Sequence, residues 1–348
     1  MLTGDLDRVL TAEISALRPP PAMTTAGTWE PAPPGSAPAP GTYATPISFR
    51  LADNHPVGPL RIAMTLAAAL RRAGWVRAAT VTGGYLTVTV TPDALAALAT
   101  RITAAGPGCA RSTALAGPTV PAPPAPDLAA AAGWADARRR LAAFLTGRLA
   151  EVAGARTFPS DLEERQAIPA RRPAPAPGPV AAAIEFAGAG AIRYALARLP
   201  PGAPADVDAC HAAAQHLGVP AYAVRYAHAH AVSTLRQAAD LGLSLGEAAD
   251  FQPRLLAHPS ERALLDELSW LAERVAGAAR RGRPDVFPRY LERVADAYFD
   301  WQEQCPAVWP SMTTGGPGIA ARLWLAAATA TVLRTGLDLL GVDASDRL

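Results

Sequence analysis

The first residues in this 348-residue chain with metal-binding or nucleophilic chemistry are six His and three Cys. Five of the six His lie between positions 211 and 258. His228 and His230 would grip one ion from a strand, but on a helix side chains two apart diverge by roughly 200°. His211 and His216, five apart, are also badly spaced, and no Cys or carboxylate at ligand spacing joins them, so no metal site is expected. His228 instead shares an apolar face with Val224, Ala231 and Leu235 and reads as a hydrogen-bonded core residue. Cys109, Cys210 and Cys305 are too scattered for a disulfide framework or a thiolate zinc site, which fits a reducing, cytoplasmic setting. There is no Gly-x-Ser-x-Gly, and only Cys210 has an adjacent His. All 32 basic residues are Arg, so a P-loop Lys, a Schiff-base Lys and a phosphate-steering Lys are excluded, and no catalytic residue is assigned. Gly-x-Gly occurs at 106–108 and 188–190, but neither copy lies between a strand and a helix, so both read as turns or close packing.

The elements that would position these residues are unevenly distributed. Half of the chain is hydrophobic, yet 35 Pro and 28 Gly punctuate it, so folded blocks joined by stiff segments are expected. Residues 1–180 hold 17 Arg against 12 acidic residues, a balance of +5; residues 181–348 hold 15 against 18, or −3. That is not the composition of a protein that binds nucleic acid by bulk attraction. The start, Met1 to Asp7, lacks a basic or apolar run and does not read as a secretory signal. The late apolar stretch Leu323 to Leu333 is 11 residues between Arg322 and Arg334, too short to span a bilayer, so no membrane partner is expected.

The spacing predicts a multidomain α+β protein. Residues 1–105 form a small α+β domain: a helix from Asp5 to Leu17, a Pro-rich loop over 19–40, a helix from about Pro59 to Ala73, and one hairpin over Thr80 to Thr91 turning at Gly83-Gly84. Residues 106–179 read as a Pro/Ala-rich linker with one helix, Asp127 to about Val152. Residues 180–348 read as an all-α bundle. Within it Leu264, Leu265, Leu268, Leu271 and Val275 share one face, and Leu291, Val294, Ala295, Tyr298 and Trp301 another.

The helical part carries a resemblance. Val224-Arg225-Tyr226-Ala227-His228-Ala229-His230, with Ser233 to Ala238 after it, resembles the Tyr-Ala-His-Ala-Arg helix that opens the anticodon-binding (DALR) domain of arginyl-tRNA synthetases. Ala321 to Val342 is similar to that family's last helix with its Leu-Leu-Gly-Val tail, and Pro288 to Leu291 and Ala297 to Phe299 resemble its middle aromatic helix. Upstream, Gly190 to Leu196 resembles the segment that follows the family's lysine-bearing loop. Tyr43-Ala44-Thr45, Thr82 to Leu86 and Thr91 to Leu95 resemble its N-terminal domain. The parallel-strand nucleotide domain, the His-x-Gly-His turn and the lysine loop have no counterpart. His55-Pro56-Val57-Gly58-Pro59 is only a near miss, so the chain is similar to a synthetase with its catalytic domain removed. His230 stands where the family has Arg, and the family's Arg after Cys305 is missing.

The resemblance implies a non-catalytic tRNA-binding protein, with arginine tRNA as partner, held at the anticodon arm and elbow. It brings no cofactor, ATP entering only under the arginine–tRNA ligase reading that similarity alone would assign. An alternative is a protein-interaction module that partners a synthetase or another tRNA-dependent enzyme; oligomeric state is left open. The candidate tRNA-binding residues are Arg225 and Arg236, three turns apart on one stripe; Tyr226 and His230 beside them; Arg280, Arg281 and Arg283 at a turn; and Arg322 and Arg347 near the end.

Overall fold

The computed structural model describes residues 2–16, 29–32, 39–53, 56–160, 178–307 and 316–347. The first helix, α1 (Leu2–Ala16), buries Leu2, Leu6, Leu10 and Ile14, a spacing of four that keeps one face inward. The expected Leu17 end and the Pro-rich loop lie largely outside the described residues. After β1 (Thr42–Thr45) come α2 (Ile47–Ala52), α3 (Pro59–Arg71), β2 (Val76–Thr82), β3 (Tyr85–Val90), α4 (Pro92–Ala96) and α5 (Leu98–Ala105). β2 and β3 form the expected hairpin, and β1 pairs antiparallel on the other edge of β3, giving the order β1-β3-β2. β1 was not legible because four residues are too few to display an alternation, and its Tyr43 and Ala44 are both fully buried. The turn takes positive φ at Gly83 and Gly84, and a Cβ at Gly84 would come within 2.7 Å of the Phe49 ring.

Residues 106–160 hold β4 (Thr119–Ala122), α6 (Trp134–Val152) and β5 (Arg156–Pro159), with β4 and β5 paired in parallel. The helix starts at Trp134 rather than Asp127, residues 127–133 forming turns. Its Leu141, Leu145 and Leu149 are buried, so this stretch is packed into the body of the molecule rather than spanning a gap.

The rest of the described chain is helical: α7 (Pro179–Ala187), α8 (Ala189–Arg198), α9 (Ala209–Ala213), α10 (Pro220–Asp240), α11 (Pro259–Ser269), α12 (Leu271–Arg280), α13 (Val286–Gln304) and α14 (Pro317–Leu340). Both predicted core faces are buried. α14 extends the 11-residue apolar stretch to 24 residues and is long and apolar enough by composition to cross a membrane. However, 78% of its apolar window is buried inside the protein, between α10, α13 and α5, which accounts for that composition. α13 and α14 approach closely at Gly336, where a Cβ would lie 2.3 Å from Leu291 Cδ2.

The N-terminal sheet docks directly on the bundle. Gly41 N–H donates to Asp266 Oδ1 (2.8 Å), Tyr43 OH donates to Ser269 Oγ (2.9 Å), and the Tyr43 and Trp270 rings lie 5.1 Å apart. Burial raises the Asp266 carboxyl to about 6, with the neighbouring Glu267 adding to the rise, while the Gly41 and Trp270 N–H groups and Arg274 pull the other way.

Candidate nucleic-acid interface

α10 has two unlike faces. Ala221, Val224, Ala227, His228, Ala231, Thr234 and Ala238 are buried, and the small alanines among them let α14 pack closely along the helix. The other face carries Tyr222, Tyr226 and His230, each one turn after the last and each half-buried. Tyr222 and Tyr226 stack at 5.7 Å with planes 17° apart, His230 follows 5.9 Å from Tyr226, and Phe299 of α13 lies 6.0 Å from Tyr226. This makes a ladder of flat rings with one edge reaching solvent, the arrangement on which unpaired bases stack. His230 Nδ1 hydrogen-bonds the Tyr298 hydroxyl at 2.8 Å, and burial lowers the imidazole pKa, which favours a neutral ring. A neutral ring reads base edges through a donor and an acceptor rather than through charge.

Beside the ladder stand Arg225 and Arg236, both half-buried. Arg225 Nε has no hydrogen-bond partner among the described residues, whereas Arg236 uses Nη2 to donate to the Asp346 carbonyl (2.7 Å). Arg225, Tyr226, His230 and Arg236 thus share one helix. Arg280, Arg281 and Arg283 lie elsewhere, at the α12–α13 turn. This turn adjoins Arg138 and Arg139 of α6 around a cleft of about 420 Å³. Arg280 and Arg281 are exposed, but Arg283 forks onto the buried Asp285 with two 2.8 Å bonds, which raise its pKa. Arg322 is committed inward: its Nε donates to Glu261 Oε1 (2.9 Å), and the other oxygen of Glu261 caps α11 through the His258 N–H (2.8 Å). Arg347 is exposed, its N–H donating to Ser345 Oγ (3.3 Å).

His228 is fully buried, as its apolar-face reading expects, and bonds the Ser345 carbonyl. Among the described residues no group of three or more His, Cys, Asp or Glu is arranged to hold a metal. Tyr222 escaped the sequence reading although it lies one turn before Tyr226. The part played by Phe299 needs the packing of α13 on α10 and has no local signal.

The DALR anticodon-binding domain model matches residues 224–348. The arginine–tRNA ligase of Micrococcus luteus is 38% identical over 170 residues, covering 47% of this chain and 30% of that protein. The ligase of Chloroflexus aggregans is 41% identical over 126 residues, covering 36% and 21%. The chain therefore spans less than a third of the length of these curated relatives. The Thermus thermophilus arginyl-tRNA synthetase structure aligns over 100% of both chains with a TM-score of 0.65 at 15% identity, a likeness of fold. The C-terminal half of this chain is accordingly similar to the arginyl-tRNA synthetases, with residues 224–348 matching the DALR anticodon-binding domain.

Proposed function

We propose that this protein binds tRNA, arginine tRNA first, through the outer face of α10, and does so without catalysing aminoacylation. The observation that carries the reading is the Tyr222–Tyr226–His230 ladder flanked by Arg225 and Arg236 on the helix that opens the match to the anticodon-binding domain. Stacking rings and adjacent guanidiniums are what a single-stranded loop needs: a platform for bases and cations for its backbone. The N-terminal sheet offers the second contact, at the tRNA elbow. The non-catalytic part of the proposal is supported by the absence of any Lys from these 348 residues and by the packing of α6 in the stretch that precedes the bundle. Without Lys, these residues cannot supply the family's lysine loop to stabilise a transferring adenylate.

Filter binding across a salt series tests the first part. Arginine tRNA is expected to bind more tightly than other tRNAs, with affinity falling steeply as salt rises; equal binding of all tRNAs defeats the arginine assignment. Arginine-dependent ATP–pyrophosphate exchange by pure protein defeats the non-catalytic reading. A second reading, a module that binds a synthetase or another tRNA-dependent enzyme, is favoured by one observation: Arg236, Arg283 and Arg322 already have partners within the chain. A complex that survives ribonuclease supports it.

A further inference from the structure

The segment after α14 turns back at Gly341 and lies along α10. Ser345 O accepts from His228 Nδ1 (3.2 Å), Asp346 O accepts from Arg236 Nη2 (2.7 Å), and the Asp346 carboxylate accepts from Arg334 of α14. A carbonyl can only accept, so Nδ1 carries the ring proton and Nε2 of the neutral imidazole is bare. That Nε2 is buried and has no hydrogen-bond partner, and the nearest charge it faces is the Asp346 carboxylate, 4.0 Å away. Asp338 of α14 is the other acidic group near this imidazole, and Arg334 the other cation. Arg236 Nε is also without a partner. The Asp346 carboxylate therefore holds Arg334 and faces the bare Nε2 with no proton between them, while the Asp346 main-chain carbonyl holds Arg236, whose Nε is left without a partner.

We infer that Asp346 occupies a backbone-phosphate site formed by Arg236 and Arg334 beside His228, and that RNA binds by displacing residues 343–347 from α10. The inference rests on the tRNA-binding reading and deepens it. A phosphate offers more acceptor oxygens than a carboxylate and matches the forked guanidinium geometry, so it engages both arginines more fully. The internal occupant is displaceable because its pair with Arg334 is open to water, the two side chains being 48% and 53% exposed. Arg334, committed to an internal anion, neutralises less phosphate charge on binding, so the occupied form has a shallower salt dependence than the open one.

The test compares wild type with Asp346→Asn, using Asp343→Asn as a charge control in the same segment, in arginine tRNA binding across a salt series. Asp346→Asn is expected to bind about two- to five-fold tighter, with a salt slope steeper by about one unit, while Asp343→Asn binds like wild type. No gain from Asp346→Asn, or an equal gain from Asp343→Asn, overturns the inference. The imidazole resonances of His228 in wild-type protein give an arm that needs no variant: they shift as tRNA is added if the segment leaves. Bound tRNA with an unmoved His228 signal overturns this inference alone. Failure of wild type and both variants to bind any tRNA overturns it together with the tRNA-binding reading.

Discussion

Two faces of the helical bundle use the same residue types to opposite ends. On α10, rings and cations lie along one open stripe, the rings backed by Phe299 and Tyr298. On α11 and the α12–α13 turn, buried carboxylates hold the donors: Glu261 takes Arg322 and caps its own helix, Asp285 takes Arg283, and Asp266 takes the N–H groups of Gly41 and Trp270. The inward face locks elements together and the outward face is left able to exchange partners. An arginine count alone does not separate the two; what separates them is whether a buried carboxylate lies within reach.

The sharpest break in that comparison is Glu261→Ala. It leaves the Arg322 cation without its partner and uncaps α11, and is expected to cost about 2–4 kcal/mol in urea unfolding, with the α10 face intact in whatever fraction stays folded. Next is Tyr226→Ala, which removes the middle rung of the ladder. Discrimination among anticodon loops should fall by about 1–3 kcal/mol while the salt slope holds; a fall in melting temperature accompanying lost binding would assign Tyr226 to packing instead. A smaller effect comes from Asp266. Its folded pKa of about 6 lies above the unfolded value, so its contribution is fully present below the unfolded pKa and is lost as pH rises through 6. Unfolding free energy should therefore gain about 1 kcal/mol from this group between pH 7 and pH 5, a gain that Asp266→Asn abolishes. The smallest effect separates the cations: Arg225→Ala should lower the salt slope by about one unit, roughly four-fold in affinity between 50 and 200 mM salt, whereas Arg283→Ala should leave the slope unchanged.

Much of this was legible from spacing. The hairpin at Gly83-Gly84, the core faces of α11 to α13 and the stripe on α10 are all local periodicities, and a helix or hairpin is a local object. What escaped depends on distant partners. The Arg322–Glu261 pair joins positions 61 apart, and the Asp346–Arg236 contact positions 110 apart, so neither leaves a mark in any short window. The stretch 106–179 reads as a linker because Pro and Ala dominate it, and only the packing of α6 against α8 and α12 shows where Leu141, Leu145 and Leu149 go. Arg225, Tyr226, His230 and Arg236 of α10 stand out in the sequence and Tyr222 does not, and which of the arginines already have partners is decided by the tertiary fold.

The join between the N-terminal sheet and α11 also sets an order of events in folding. β1 to β3 pair within fifty residues of one another, whereas the bundle brings α14 back onto α10 across the intervening helices, so the sheet forms over shorter loops than the bundle. The Gly41 to Asp266 bond closes a separation of 225 residues, whose loop entropy is recovered only when both surfaces already exist. Docking is therefore expected as a distinct late phase in refolding, reported by fluorescence of Trp270, whose ring lies 5.1 Å from that of Tyr43; a single phase common to this signal and far-UV circular dichroism would show that the sheet and the bundle assemble as one.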